Sequence, residues 1–309
     1  MNELLEALHT DYLLVNSTNE YLVEYSSLSE NARHTLTGFT GSTGDALISK
    51  DNIYLFVDGR YHTQAEIEAK KGVCVIKLQL GQTQDEEISK IIKPYKTFSI
   101  VGKKVSQLRF ENFKALLKEK NIKIQLLSDD PINNYTEKHD GNMTKASYTP
   151  KKFVPDKPTF ITNLEEVSYL TGMRDFSKDN SSKIWGKLFV NGKNPPLLFT
   201  SNKTATDFLK NYEGELVVDK ASISAFDYAQ ISTPIHKKSD VNILKAIKTD
   251  EEIESYKKAF DCTDKTLCAI RDYIEKNDGL SEFSISEQLR KELKQYSMNY
   301  NALYRFILR

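Results

Sequence analysis

The sequence predicts an α/β fold in which two similar modules with mixed β-sheets precede a helical segment. Short β-rich runs alternate with helical patterns along residues 1–140. Residues 129–158 are polar and carry four prolines, which is typical of a linker. From residue 239 onward the apolar residues recur at helical spacing. We therefore predict domains at 1–140, 157–236 and 237–309.

The sheet of the first module is predicted to be mixed because the sequence contains a hairpin. Residues 44–49 and 53–57 are β-rich runs separated by Lys50-Asp51-Asn52, and a hairpin forces one antiparallel pair. The other strands are predicted at 12–15, 73–78, 98–101 and 122–127, and the helices at 2–9, 60–70, 84–93 and 106–118.

The second module is predicted from a weak internal repeat. Leu36-Thr37-Gly38 returns as Leu170-Thr171-Gly172, behind a capped helix start at Asn163. The strand at 54–57 is echoed by residues 187–190, ahead of Gly192. We interpret residues 157–236 as a second copy of the first module.

The last part is predicted to be two helices and a strand. Residues 250–276 form an amphipathic pattern that Gly279 closes, and a capping box at Ser284 and Glu287 opens the second helix. Residues 303–308 read as a strand. Because these elements cannot enclose a core of their own, we expect them to pack on the second module or on another chain. The apolar positions of the long helix are Ile253, Tyr256, Phe260, Leu267, Ile270 and Ile274.

Composition excludes several classes of partner. The chain has 43 basic and 43 acidic residues, so neither nucleic acid nor an anionic membrane is expected as a bulk partner. No run approaches the roughly 18 apolar residues of a membrane span, and the N-terminus has no signal-peptide pattern. The three cysteines form no paired framework and no C-x-x-C motif, which predicts reduced thiols and a cytoplasmic location. Cys74, flanked by valines, is expected in the core.

Gly38, Gly41 and Gly44 recur at three-residue spacing, which raises the question of a phosphate-binding loop. Such loops lead into a helix, whereas these glycines lead into a strand, so we interpret them as turn residues with positive φ. Ser42 does not fit a nucleophile elbow, because Thr40 stands where that motif requires glycine.

Metal sites and specific contacts have few candidates. The five histidines are scattered and no H-E-x-x-H motif exists, so no metal ligand is assigned. Asp58-Gly59 ends a strand, and Asp58 and Arg60 are predicted either to form an exposed ion pair or to leave an arginine, Arg60 or Arg33, free for a partner. His62 is interpreted as a surface residue of the following helix.

Residues 36–66, LTGFTGSTGDALISKDNIYLFVDGRYHTQAE, resemble the N-terminal domain of the creatinase/aminopeptidase P family. The resemblance continues through residues 19–25, 166–174 and 239–253, although Asn19 and Tyr21 stand where the family often has Asp and His. It implies two creatinase N-terminal-like modules and the start of a pita-bread catalytic domain.

The resemblance also implies a chemistry and where that chemistry is held. Family members release an N-terminal residue that precedes proline, with two divalent metal ions such as manganese on two Asp, one His and two Glu. All five positions fall beyond the part that matches residues 303–309. We therefore expect no catalytic residue and no metal ligand in this chain, and no peptidase activity from it alone.

A stand-alone binding or assembly module is the alternative. Family N-terminal domains commonly build oligomer contacts and shape access to an active site, so Arg33, Arg60 and His62 are candidate contacts to a partner or to a neighbouring active site. We expect a homodimer, or a complex with a full-length relative, formed through residues 239–309, whose apolar stripe would otherwise remain exposed.

Overall fold

The computed structural model describes residues 1–133, 135, 143–146, 148–177 and 181–296. The first module is a six-stranded mixed sheet in the order β4-β3-β2-β1-β5-β6, with helices on both faces. Its strands are β1 Tyr12–Val15, β2 Ala46–Ser49, β3 Ile53–Val57, β4 Val73–Lys77, β5 Thr97–Val101 and β6 Lys123–Leu127. Its helices are α1 Asn2–Ala7, α2 Ala32–Thr37, α3 His62–Glu68, α4 Gln84–Ile91 and α5 Gln107–Leu116.

The central strand β1 explains why helices cover both faces of this sheet. All four of its residues are buried: Tyr12 and Leu14 pack towards α4 and α5, and Leu13 and Val15 pack towards α1 and α2. Alternate residues of a strand point to opposite faces of the sheet, so an uninterrupted apolar run requires cover on both. The predicted hairpin between β2 and β3 is confirmed as an antiparallel pair.

The second module repeats this plan, as predicted. Its five-stranded sheet has the order β11-β10-β8-β12-β13, with the same sequence of parallel and antiparallel pairs as β3-β2-β1-β5-β6. The elements of this part are β7 Met143–Lys145, β8 Thr159–Ile161, α6 Leu164–Thr171, β9 Met173–Asp175, β10 Lys187–Val190, β11 Leu197–Phe199, α7 Asn202–Asn211, β12 Glu215–Val218, α8 Ala225–Tyr228 and β13 Thr233–His236.

One detail of the predicted repeat is wrong. Residues 187–190 form β10, which occupies the place of β2 and not that of β3. The Leu-Thr-Gly repeat is confirmed, however. Gly38 ends α2 and Gly172 ends α6, both in the left-handed conformation. The hydroxyls of Thr37 and Thr171 each donate to the carbonyl four residues earlier and accept from the amide two residues later.

The predicted linker is more structured than its composition suggests. Strand β7 pairs with β9, and the buried Asp130 carboxylate forms an ion pair of 2.7 Å with the buried Lys104 ammonium. Tyr148 and Phe153 pack on the core of the second module. The domain boundaries drawn through this segment stay a prediction.

The two modules contact each other through equivalent loops, one from each module. Ser106, which caps α5 after β5, forms a β-bridge with Ser224, which caps α8 after β12. The amide of Gln107 donates to the carbonyl of Ile223, and the amide of Ala225 donates to the carbonyl of Val105, both at 2.9 Å. The first amides of a helix have no partner within the helix. Each module therefore satisfies a helix N-terminus of the other.

The tail consists of α9 Val241–Ala246, α10 Asp250–Lys276 and α11 Glu282–Tyr296. A capping box of Thr249 and Glu252 opens α10, which ends at Lys276, three residues before Gly279. The predicted capping box at Ser284 is wrong: reciprocal bonds between Ser281 and Ser284 start α11 earlier. Residues 303–308 lie outside the described residues. No helix within the described ranges is long and apolar enough to cross a bilayer.

We predict that Gln107→Pro weakens the junction without disturbing α5. Proline is favoured at the first helical position, and Ser106 already has an extended backbone with ψ of 152°. The substitution removes the amide that Ile223 requires, so we expect the free energy of unfolding to fall by about 1–3 kcal/mol more than in Gln107→Ala, as urea titration measures. Equal losses in the two variants would contradict the assignment.

Candidate functional site: the cleft between the modules

A cleft of about 1150 Å³ lies between the two modules. One wall consists of residues 21–28, 30–31 and 40–42 of the first module. The other consists of residues 163–165, 181–183, 185 and 221–222 of the second module. Large concave sites between domains are where ligands commonly bind. The junction at Ser106 and Ser224 fixes these walls relative to each other.

Buried side chains stabilise a tight turn at residues 19–22, in the first wall of the cleft. Asn19 and Glu30 are both buried, and the Asn19 amide donates to the Glu30 carboxylate at 3.2 Å. The Asn19 side-chain oxygen accepts from the amide of Tyr21, and its carbonyl accepts from the amide of Leu22. Leu22 has a φ of +57°, which is unfavourable for a branched side chain. The buried pair therefore fixes a conformation that the turn alone would not prefer.

This turn presses Tyr21 against the second module. Its ring meets Trp185 edge to face, with centroids 5.3 Å apart, and the ammonium of Lys187 lies 6.0 Å from the ring centroid. Lys187 is itself buried in an ion pair with Asp227. Burial raises the pKa of the Tyr21 phenol far above its ordinary value, aided by the Glu20 and Glu30 carboxylates. The contact is therefore between neutral rings and contributes on the order of 1 kcal/mol beyond the area it buries.

Arg33 supports the loop that completes this wall. Its guanidinium donates to the carbonyls of Phe39 at 3.0 Å and Gly41 at 2.5 Å and lies 4.7 Å from the Phe39 ring centroid. Burial lowers the pKa of Arg33 to about 10, while the Asp45 carboxylate works to raise it, so the group stays charged at neutral pH. The side chain is 0% exposed. Arg33 is thus not available to a partner, contrary to the sequence interpretation.

Glycine is required at different positions of this loop for different physical reasons. Gly38 and Gly44 have φ of +81° and +108°, as predicted. Gly41 does not have positive φ. A Cβ there would meet the Phe39 ring at 2.3 Å, so the constraint is space. Gly59 also lacks positive φ and has open space around it. The Asp58 carboxylate stabilises that turn by accepting a hydrogen bond from the amide of Arg60.

The rim of the cleft carries a cluster of hydroxyls and a carboxylate. The Ser42 hydroxyl donates to Glu24 at 2.8 Å and lies 2.8 Å from the Tyr61 hydroxyl. A carboxylate and a phenol do not make a serine nucleophilic in the way that a histidine base does. His62, which directly follows Tyr61 in sequence, instead makes a hydrogen bond between its Nε2 and the Leu78 carbonyl. The cluster is suited to binding polar ligands and not to acyl transfer.

Asp58 and Arg60 form the exposed ion pair that the sequence allowed. The Arg60 guanidinium lies 2.8 Å from the Asp58 carboxylate and also donates to Thr43. Arg60 lowers the pKa of Asp58 by donating to its carboxylate. An exposed pair of this kind contributes little to stability. Whether Arg60 or His62 contacts a partner stays a prediction.

The described residues do not fit the metal pair that the family resemblance implies. No three of their His, Cys, Asp or Glu side chains come together as a candidate ligand set. Cys74 is exposed, contrary to prediction, because β4 is the edge strand of its sheet. Cys262 and Cys268 both lie on α10.

Sequence reasoning missed the residues that define the cleft. Tyr21 and Trp185 lie far apart in sequence, and neither belongs to a motif of known chemistry. The signal that could have found the junction is Val105-Ser106, which recurs as Ile223-Ser224 at the same place in the two modules. A two-residue match is too short to be recognised before the strand order is known.

Comparisons with known proteins agree on one class. Residues 1–129 match the creatinase/prolidase N-terminal domain. Xaa-Pro aminopeptidase 1 of Dictyostelium discoideum is 23% identical across 94% of this chain and 56% of its own length. Aminopeptidase P1 of Lotus japonicus is 46% identical over 56 residues, which are 18% of this chain and 8% of that protein. The fold resembles a crystal structure of X-prolyl aminopeptidase from Caenorhabditis elegans, with a TM-score of 0.81 at 14% identity over 94% of this chain and 56% of that one.

The fold and these matches define an α/β protein whose first module is a creatinase/prolidase N-terminal domain. Along most of its length the chain is similar to Xaa-Pro aminopeptidases, at 23% identity. It spans a little over half the length of the relatives that it matches along most of its sequence.

We predict that Gly44→Ala destabilises the loop and that Gly59→Ala does not. Besides a φ of +108°, a Cβ at Gly44 would lie 2.6 Å from the Phe56 carbonyl oxygen, so the loop has to move. We expect Gly44→Ala to lower the free energy of unfolding by about 1–3 kcal/mol and Gly59→Ala to change it by less than about 0.5 kcal/mol. Thermal unfolding of both variants measures this. A neutral Gly44→Ala would show that the loop is not under this constraint.

Proposed function

We propose that residues 1–309 act as the non-catalytic N-terminal portion of an Xaa-Pro aminopeptidase-like protein, without peptidase activity of their own. This proposal rests mainly on which metal-ligating side chains lie close together in the structure. The described residues contain no group of three metal-ligating side chains, while the modules themselves follow the family plan. A metal-bound hydroxide at neutral pH requires such a set. A cytoplasmic location is part of the proposal, and the C. elegans relative is described as a cytosolic enzyme with a di-nuclear active site.

The cleft is the part of this chain that we expect to meet a peptide. Its lining includes serine and threonine hydroxyls, the carboxylates of Glu24 and Glu165, and the rings of Tyr21 and Trp185. These groups can orient a peptide but cannot polarise its scissile carbonyl. In this proposal the two modules shape access to chemistry that other residues carry out.

We predict that the purified chain does not hydrolyse an Xaa-Pro peptide in the presence of manganese, cobalt or zinc. The release of the N-terminal residue, followed by chromatography, should stay at the rate of the metal-only control. Trp185 is the only tryptophan, so its fluorescence verifies in the same sample that the modules are folded. Metal-dependent turnover at a rate typical of a peptidase would refute the proposal.

The alternative is that this chain is an assembly module, and one observation favours it. Four residues of α10 (Ile253, Phe260, Leu267 and Ile274), here called the apolar row, follow each other at seven-residue intervals and are 40–51% exposed. Ile270, expected in the same stripe, is instead covered by Leu289 and Leu293 of α11. Leaving the apolar row in water forfeits roughly 1 kcal/mol or more per residue, so cover by a partner is favoured.

We predict that the chain self-associates and that Phe260→Asp prevents it. Multi-angle light scattering should give a mass above 35.4 kDa for the chain and the monomer mass for the variant. Ile67→Asp is the matched control, because Ile67 is a more exposed apolar residue on a helix of the first module. A monomeric wild-type chain, or equal effects of the two substitutions, would contradict the assembly role.

A further inference from the structure

The second module contains a cavity of about 360 Å³ over one face of its sheet, here called the sheet-face cavity. It is bounded by parts of the second module itself and by the segment that leads out of β13. Apart from Ser222, its lining differs from that of the cleft. Its volume falls within the range in which proteins bind small molecules.

The floor of the sheet-face cavity is a row of side chains from three neighbouring strands. Thr159 of β8 is in register with Val217 of β12, and Val217 is in register with Ile235 of β13. Residues that are in register across a sheet point to the same face. Val217 and Ile235 are only partly buried, and both line the cavity. The floor therefore offers apolar surface to a ligand.

The first module shows how the equivalent face can be covered. There the same row is Leu13, Ser99 and Gln125, from strands β1, β5 and β6. Helix α1 lies over it, because Leu5 packs with Leu13 and the Gln125 side-chain amide donates to the carbonyl of Leu8 at 3.0 Å. In the first module a helix thus occupies the space that corresponds to the cavity.

The second module has a different segment in this place. The chain enters β8 through residues 148–158, all of them described, and they form neither helix nor strand. Phe153 packs on the core of the module, and Val154 and Pro155 also line the cavity. The cavity lies between this segment and the sheet because the segment fills less space than a helix does.

The row beneath the segment has changed together with its cover. Ser99 and Gln125 of the first module hydrogen-bond to each other at 2.6 Å, and Gln125 also bonds to the end of α1. At the same two positions the second module has Val217 and Ile235, which cannot form such bonds. Apolar side chains at a partly open cavity favour the binding of an apolar group.

Two carboxylates also line the sheet-face cavity. Glu166 of α6 is 3% exposed and accepts from the Ser239 hydroxyl at 2.8 Å, and the Asp219 carboxylate accepts from the Ser239 amide at 3.1 Å. Burial raises the pKa of Glu166, and the Asp219 carboxylate works in the same direction, while Ser239 and the Lys245 ammonium work to lower it. Negative charge is therefore costly here, and a further cation beside it would be favourable.

The lysines that line the cavity do not favour an anionic ligand. Lys157 lies 2.6 Å from the Glu215 carboxylate, and Lys237 lies 2.5 Å from the Asp240 carboxylate. Lys238 is exposed, where water screens its charge. The buried charge of the lining is thus a carboxylate, which selects a positively charged ligand.

We propose that the sheet-face cavity binds a small ligand that carries an ammonium group on an apolar body. The ammonium donates to Glu166 and Asp219, and the apolar body lies on Val217 and Ile235, beneath Pro155. This is a second binding site, and it rests neither on the peptide role of the cleft nor on self-association.

Three probes with the same apolar body and different head groups test the recognition: 4-phenylbutylamine, 4-phenylbutanol and 4-phenylbutyrate. In titrations of the full chain followed by ligand-observed NMR, the amine should have a dissociation constant at least tenfold lower than that of the alcohol. The acid should bind more weakly than the alcohol. Equal dissociation constants, tightest binding of the acid, or no detectable binding of the amine would overturn the proposal.

Glu166→Gln tests the partner of the ammonium. Glutamine keeps an oxygen that can accept from Ser239 but removes the charge, so the dissociation constant of the amine should rise at least tenfold and that of the alcohol should change less than twofold. Glu213→Gln is the matched control, because Glu213 is an exposed carboxylate of the same module outside the cavity lining. Equal effects of the two substitutions would overturn the role of Glu166.

Val217→Phe tests the place of binding without a change of charge. The larger ring fills the cavity from its floor, so the dissociation constants of the amine and the alcohol should both rise at least tenfold. Val73→Phe, on the edge strand β4 of the first module, is the matched control and should change neither. Thermal unfolding verifies that each variant is folded. Unchanged binding by folded Val217→Phe would locate the probes elsewhere and overturn the site.

Discussion

The reciprocal pairing of two helix N-termini is the constraint on which the shape of this molecule depends. Gln107 and Ala225 each begin a helix, and each donates its amide to a carbonyl of the other module. A buried amide without a partner would cost about 1–3 kcal/mol, so the two ends are satisfied together or not at all. The cleft and the contact of Tyr21 with Trp185 depend on this junction, because it holds the two modules together.

The junction has this form because the two modules are copies. Ser106 and Ser224 occupy the same position in their modules, after the strand that lies next to the central one. In open α/β sheets, the edge at the carboxyl ends of the strands is where ligands commonly bind. Here the two modules use part of that edge to bind each other, and the remaining space between them is the cleft.

Arg33 shows how one copy departs from the other. It precedes Thr37 by four residues in α2, as Val167 precedes Thr171 in α6, and both side chains are fully buried. The arginine of the first module holds the Phe39–Gly41 carbonyls, and the valine of the second packs in an apolar core. A buried guanidinium that donates to two backbone carbonyls can fix a loop where an apolar residue cannot.

The tail combines a small internal core with a long exposed apolar row. Ile270, Leu289 and Leu293 hold α10 and α11 together, and this contact uses only one side of α10. A two-helix hairpin has too little interior to cover both sides of a 27-residue helix. Within the described residues, this hairpin therefore leaves the apolar row exposed.

The sequence by itself determined the class of fold, the hairpin, the positive φ of Gly38 and Gly44 and the extent of α10. These depend on local patterns: alternation, turn residues and helical periodicity. Only the tertiary structure decided that Arg33 is buried, that Cys74 is exposed on an edge strand, and that Tyr21 meets Trp185. Those outcomes depend on which distant segments come together, and strand order and the junction of the modules are not encoded in any short stretch of sequence.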